Sequence, residues 1–311
     1  MGSYDVNGRT VFITGAARGI GAESARRLHA KGANVALVGL EPERLEALAA
    51  ELGDRAFAVE ADTTDVAALD RAVAAVVERF GGIDVAIANA GIQRSGTVLT
   101  GDPDAIERTI EVNLLGVWRT DRAVLPHIIE RKGYLLNIAS LSAISHAPLM
   151  SAYTASKAGV EAFTDALRIE TSPTGAKIGC AYFGFIDTDI VRGSFAQPSA
   201  QRMRGLMPGF VAKPAPLSQA IDAIEKGVER RSARVWAPRF VGPLMAIRGI
   251  AQPLTEWQMM RFGRKDIAEA VRLADPKTGA DRPEDPLLGA SSLAVTPPED
   301  AAATAPEAAQ V

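Results

Sequence analysis

Two short stretches carry the residues whose types and spacing point to chemistry. Tyr153-Thr154-Ala155-Ser156-Lys157 lies early in a helix-like segment, and Asn137-Ile138-Ala139-Ser140 ends an apolar run thirteen residues before it. Positions i and i+4 share a helix face, so Tyr153 and Lys157 point the same way. A phenol has a pKa of about 10. An adjacent ammonium stabilises phenolate and brings Tyr153 nearer neutrality as a general acid/base. Ser140 could hold a substrate oxygen beside it. Taken singly, each residue is also what ordinary folds use: a packed tyrosine, a solvated lysine, a serine in a turn. The spacing leaves both readings open.

A second constellation lies near the amino end, where Thr14-Gly15-Ala16-Ala17-Arg18-Gly19-Ile20-Gly21 follows the first apolar run and opens a helix. Glycines there let the backbone turn tightly and let a pyrophosphate approach free helix amides. Gly39 and Leu40 end the second run. Asp62 and Thr63 follow the third, where they could meet an adenine edge. Asn89-Ala90-Gly91 follows the fourth, letting backbone pass close to a nucleotide. Turn chemistry accounts for each alone. Their conjunction at successive strand ends points to a dinucleotide crevice.

The elements that must position these residues are legible as alternation. Val11–Thr14, Val35–Gly39, Ala56–Val59, Val85–Ala88, Tyr134–Ile138, Ile178–Phe183 and Arg234–Ala237 read as strands. Gly19–Lys31, Pro42–Leu52, Asp65–Phe80, Ala105–Arg131, Ala152–Thr171 and Leu217–Arg231 read as helices. Continuous apolar strands separated by helices predict an α/β fold, a Rossmann-type doubly wound parallel sheet of about seven strands with helices on both faces. Pro42 fits a first helical position, and Gly32, Gly53 and Gly81 fit helix ends. Residues 1–239 make the catalytic domain. The connection Thr188–Pro216 is long enough to be a lid. Residues 240–274 form an apolar extension, in which Phe240–Phe262 is broken by prolines and reads as a lid buttress or subunit contact. Residues 275–311, rich in Pro, Ala, Asp and Glu, read as a disordered tail.

Composition removes several classes of function. A net charge of −3 with 23% charged residues offers no basic field, so nucleic acid is not an expected partner. One cysteine, Cys180, makes no internal disulfide, and His29, His127 and His146 are scattered, so no metal site is expected. The polar start lacks a signal-peptide core, and no run approaches the roughly 18 apolar residues of a spanning helix, so the expected address is cytoplasmic.

In these motifs the chain resembles the short-chain dehydrogenase/reductase family, in its single-domain branch, from about Gly8 to Ala237. Thr14-Gly-x-x-x-Gly19-x-Gly21, Asp62, Asn89-Ala90-Gly91, Asn113, Ser140, Tyr153-x-x-x-Lys157, Gly184 and Thr188 occur in order. The resemblance implies Tyr153 as acid/base and Ser140 as orienter of the carbonyl or hydroxyl. Lys157 would contact the nicotinamide ribose and lower the Tyr153 pKa, while Asn113 would hold a water linking Lys157 to solvent. Ile186 and Thr188 would contact the nicotinamide carboxamide. It also implies a homodimer or homotetramer formed through the helices 105–131 and 152–171. Two departures stand out: Ala88 replaces the first Asn of the family's Asn-Asn-Ala-Gly, and Phe183-Gly184 replaces Pro-Gly, bringing an aromatic ring near the nicotinamide.

Cofactor choice rests on the end of the second run. NAD enzymes usually place a carboxylate there for the ribose 2′-hydroxyl, but Gly39 is followed by Leu40. Arg18 can pair with a 2′-phosphate, while Glu41 can substitute for the missing carboxylate. The reading leans to NADP, with NAD as the second choice. A small lipophilic alcohol or ketone, steroid-like or aryl, is the expected substrate, in a pocket lined by Ser142, His146, Leu149, Phe183, Phe185, Met203, Leu206 and Met207. Arg192, Arg202, Arg204 and Lys213 keep open a reductase of carrier-bound acyl groups. A redox-inactive dinucleotide-binding module also stays open. So does a peripheral-membrane enzyme that uses Phe240–Phe262 with Arg248, Arg261 and Arg264.

Overall fold

Seven parallel strands form the centre of the computed structural model, which describes residues 3–277 and 279–281. They are β1 Thr10–Thr14, β2 Asn34–Gly39, β3 Ala56–Glu60, β4 Val85–Ala88, β5 Tyr134–Ile138, β6 Lys177–Phe183 and β7 Arg234–Ala237, in the order β3-β2-β1-β4-β5-β6-β7. The order reverses between β1 and β4, which pair Val11 to Val85 and Ile13 to Ile87, so their carboxyl ends open one crevice. Strands β1, β4 and β5 are buried along their whole length because helices cover both faces, which is why they read as unbroken apolar runs.

The helices are α1 Gly19–Ala30, α2 Pro42–Leu52, α3 Val66–Phe80, α4 Pro103–Ile110, α5 Gly116–Glu130 and α6 Ser151–Glu170. They continue with α7 Asp189–Ala196, α8 Pro198–Arg204, α9 Gly209–Ala212, α10 Leu217–Arg230, α11 Val241–Phe262 and α12 Arg264–Leu273. Local chemistry sets their ends. The Asp65 carboxylate accepts from the amides of Ala67 and Ala68 at 2.8 and 3.1 Å, and Gly81 stops the same helix at φ 80°.

Two expectations are corrected, and the lid connection gains elements of its own. The segment read as one helix, Ala105–Arg131, is interrupted by a π turn at Glu111–Leu115 between α4 and α5. The lid connection is built of α7, α8 and α9. The segment Phe240–Phe262, read as broken by prolines, is the single helix α11. Pro243 falls in its first turn, where no amide needs an intrahelical acceptor, and Pro253 lies inside the helix, which continues past it. The expected tail lies almost wholly outside the described residues. Of its described part, Asp281 accepts from the Ser199 amide at 2.9 Å.

Candidate active site

The crevice begins where β1 turns into α1. Gly15 and Gly19 adopt φ of 64° and 56°. A Cβ on Gly21 would stand 2.2 Å from the Gly15 carbonyl oxygen and 2.9 Å from Asn89 Nδ2, so only glycine fits. Arg18 precedes α1 without a side-chain cap, leaving the first-turn amides directed at the crevice. Across the sheet reversal, Thr14 Oγ1 accepts from the amides of Asn89 and Ala90 at 3.0 and 3.1 Å, and Asn89 Nδ2 donates to the carbonyls of Thr14 and Gly15 at 3.0 and 3.2 Å. Asn89 therefore ties two strand ends together, with Thr14, the first residue of the glycine motif, as its partner.

The crevice widens into a cavity of about 890 Å³. Gly15, Arg18, Gly19, Ile20, Gly39, Leu40, Asp62, Thr63, Asn89, Ala90 and Gly91 line one end; Gly184, Ile186 and Thr188 lie further along. Gly21 does not line it and acts through its close packing on Gly15. Arg108 of α4, missed in the sequence, does line it and donates to Asp62 Oδ2 at 3.2 Å and to Thr64 Oγ1 at 3.1 Å. The Asp62 carboxylate is thus held by a residue of α4.

Arg18 is paired within the chain. Its guanidinium donates to Glu41 Oε1 at 2.5 Å, while Glu41 Oε2 is buried without a hydrogen-bond partner, 3.7 Å from Arg44 Nε. The parallel β1–β2 pairing brings these residues together although they are 23 apart in sequence.

At the other end Ser140, Tyr153 and Lys157 converge. Ser140 closes β5, accepts from the Ser142 amide at 3.1 Å and lies 3.4 Å from the Phe183 carbonyl. Tyr153 stands in the first turn of α6, and one turn later Lys157 Nζ lies 5.9 Å from its ring centre. Lys157 Nζ donates to the Ile138 carbonyl at 2.8 Å. Burial pulls the Lys157 ammonium down to about 8. Burial also raises the Tyr153 phenol above its ordinary value, against an opposing hydrogen bond with Ser140. Loss of water around the ring is the larger of these two effects on the resting phenol.

Asn113 lies in the π turn that precedes α5. Its side chain is fully buried and committed to protein: Oδ1 accepts from the Ile92 amide at 2.8 Å. Its Nδ2 donates to the Ile92 carbonyl at 2.8 Å and to Ser156 Oγ at 3.2 Å. It clamps the loop after β4. The π turn, a feature frequent at functional sites, supplies the residue that reaches this loop.

Of the expected substrate pocket, Ser142, His146, Phe183, Phe185, Leu206 and Met207 line the cavity. Leu149 and Met203 do not. Leu149 has a left-handed backbone, φ 65°, and its carbonyl accepts from Gly96, while Met203 is buried on α8 beneath the lid. The wall missed in the sequence is α11, which presents Leu244, Ile247, Ala251, Thr255, Met259 and Phe262. Their three- and four-residue spacing was the available signal. The helix is fastened to the core by Arg248 Nη1, 2.7 and 2.8 Å from the two Glu161 oxygens, and by Gln252 Oε1 accepting from the His146 amide at 2.9 Å. The lid cations are largely engaged within the chain. Arg192 pairs with Asp187 at 2.7 Å, Arg202 with Asp266 at 2.9 Å, and Arg204 stacks 3.9 Å over Phe195.

A family profile described as short chain dehydrogenase matches residues 9–199. Oxidoreductase UcpA of Salmonella typhimurium is 34% identical over 227 residues, 71% of this chain and 86% of its own. The 3beta-hydroxysteroid dehydrogenase 1 of Eggerthella lenta is 34% identical over 224 residues, 70% of this chain and 86% of its own. Among solved structures, 3-ketoacyl-(acyl-carrier-protein) reductase from Brucella melitensis, complexed with NADH, matches with a TM-score of 0.65 at 27% identity, over 75% of this chain and 97% of that chain.

Proposed function

The chain belongs to the short-chain dehydrogenase family of oxidoreductases, and on that premise we propose that it interconverts a lipophilic secondary alcohol and ketone. The observation that carries this reading is the convergence of Ser140, Tyr153 and Lys157 on an apolar cavity whose far end is a glycine turn. The family binds NAD(P), and the residues fit it. Uncapped α1 amides and Gly15, Gly19, Ile20 and Gly21 suit a pyrophosphate, Leu40 and Glu41 an adenosine ribose, and Ile186 and Thr188 the carboxamide end. When bound, the nicotinamide gives or takes the hydride.

In ketone reduction the Tyr153 hydroxyl donates its proton to the developing alkoxide while Ser140 Oγ holds the same oxygen. In alcohol oxidation the proton returns. A phenol held above its ordinary pKa is protonated at neutral pH, which suits the donor role. Lys157, anchored on the Ile138 carbonyl, presents its amine beside the ring and stabilises phenolate as it forms.

Phe183, Phe185, Leu206, Met207, Leu244 and Met259 favour a bulky lipophilic substrate over a sugar or small keto acid. The pairing of Arg192 and Arg202 within the chain leaves less cation for an acidic carrier protein. Cofactor choice moves from NADP to NAD: a 2′-phosphate would have to displace Glu41 from Arg18, whereas a ribose hydroxyl can donate to the unpartnered Glu41 oxygen. Copies of the chain associate through α4, α5 and α6, where Trp118 and Ile169 stand exposed; light scattering that gives a monomer mass at micromolar concentration contradicts this.

A screen of aryl and steroid-like ketones against sugars and keto acids, run with both cofactors and followed by nicotinamide absorbance, tests the reading. Turnover of bulky ketones with higher kcat/KM for NADH is expected, and Glu41→Gln should narrow that preference. Preference for sugars, or for NADPH, overturns the corresponding part.

A further inference from the structure

Helix α11 is apolar on two adjacent faces, and only one of them walls the cavity. The other carries Ile250, Leu254, Trp257 and Met260, which do not line it and are 75%, 59%, 56% and 63% exposed. At about 100° per residue these four fall within roughly a third of the helix circumference. The two faces meet at the cavity rim, where Ile247 and Phe262 line the opening and remain 55% and 67% exposed. Phe210 of α9, 65% exposed, continues the rim with its ring 5.2 Å from Phe240. A helix apolar around most of its circumference is ordinarily buried, and a contiguous exposed apolar patch marks a binding surface.

Charge on this face selects the partner. Arg261 lies within the same stripe, and Arg264 and Lys265 follow it; all three are exposed and none pairs with a carboxylate among the described residues. Glu256, on the flank, accepts from Gln252 Nε2 at 2.8 Å. No helix among the described residues is long and apolar enough to cross a membrane, so α11 can lie on a bilayer but not span it.

We propose that α11 and the Phe210 edge of the lid dock on an anionic lipid surface, with Leu254 and Trp257 at the boundary between headgroups and acyl chains. The cavity mouth then opens toward the lipid, where a lipophilic substrate concentrates. Aromatic and aliphatic residues on one side of a helix with Arg and Lys among them are the features of an interfacial helix. A second copy fits less well. A two-fold contact through this stripe sets each unpaired cation near its own counterpart, whereas anionic headgroups neutralise it. The docking does not depend on the oxidoreductase reading, because vesicle binding is measured without turnover.

The test is flotation of the full-length protein with vesicles of phosphatidylcholine mixed with phosphatidylglycerol, and with phosphatidylcholine alone. The wild type is expected to float with the mixed vesicles, less so at high salt, with a blue shift of tryptophan emission that Trp257→Phe removes. Leu254→Asp with Ile250→Asp should abolish flotation at unchanged melting temperature. Arg261→Gln with Arg264→Gln should weaken it by about thirtyfold on mixed vesicles, at about 1 kcal/mol per cation near an anionic surface. Failure of the wild type to float, equal binding to neutral vesicles, or aspartate variants that float normally overturns the proposal. So does a stripe silent toward lipid whose aspartate variant turns a dimer into a monomer, which would make the face a contact between copies.

Discussion

Asn113→Ala should weaken both the fold and the cofactor end of the cavity, and the hydrogen bonds say by how much. The alanine removes the only side chain that serves both the amide and the carbonyl of Ile92, each at 2.8 Å, in a residue 2% exposed. A buried polar group left without a partner costs about 1–3 kcal/mol, so two of them cost on the order of 2–6 kcal/mol. Ser156 is spared, since its hydroxyl still donates to the Tyr153 carbonyl at 2.7 Å. Taking about 3 kcal/mol, at roughly 2–4 °C per kcal/mol for a chain of this size, melting falls by about 6–12 °C. Gly91 precedes Ile92, and a Cβ there would lie 3.2 Å from Asn113 Oδ1 and 3.5 Å from Lys157 Nζ, so a loosened loop also disturbs the cofactor wall and the lysine. Thermal unfolding by circular dichroism and titration with reduced cofactor followed by its fluorescence measure the two effects together. Melting within about 2 °C of wild type, with an unchanged Kd, refutes the clamp.

Two further outcomes follow from the same geometry. Gly21→Ala must move either the Gly15 carbonyl or the Asn89 amide, so dinucleotide binding should fall sharply at a stability loss of about 1–3 kcal/mol; binding at wild-type strength would show that this turn is not the cradle. Lys157 is held at about 8 against an ordinary 10.5, so between those pH values the unfolded chain keeps a proton that the folded chain has shed. Stability should therefore rise with pH across that window, by up to about 3 kcal/mol, with the full penalty present below it. Lys157→Met should flatten that rise, and parallel curves for the two proteins contradict it.

How far the sequence carried the fold can be read at particular elements. β4, β5 and α2 have the ends expected of them, because strands buried on both faces and a helix bounded by Pro42 and Gly53 signal themselves locally. The π turn was not legible: its apolar residues keep the three- and four-residue rhythm of the flanking helices, and only the reach to Ile92 reveals the added residue. Helix α11 was misread because proline weighs heavily in local patterns, whereas Pro243 falls in the first turn and the helix runs on through Pro253. At the site, spacing alone left Ser140, Tyr153 and Lys157 open to two readings, and the ordered motifs of the family resemblance singled them out. The pairs Arg18–Glu41 and Arg108–Asp62 were not, since they join residues 23 and 46 apart through the sheet and its crevice. Leu149 was lost to one left-handed backbone angle, and the Tyr153 shift to burial, neither of which has a local signature.

The account rests on proton transfer by Tyr153, and one comparison tests it most directly: steady-state reduction of the best ketone from the screen by wild type and Tyr153→Phe, with cofactor Kd measured on both. The substitution removes a hydroxyl and nothing else from the cavity wall, so cofactor binding should remain within about threefold, roughly 0.65 kcal/mol, while kcat falls by about 10²–10⁴. A variant that retains more than about one percent of wild-type turnover, a loss below the range general acid/base catalysis supplies, contradicts the assignment of Tyr153 as the acid and base.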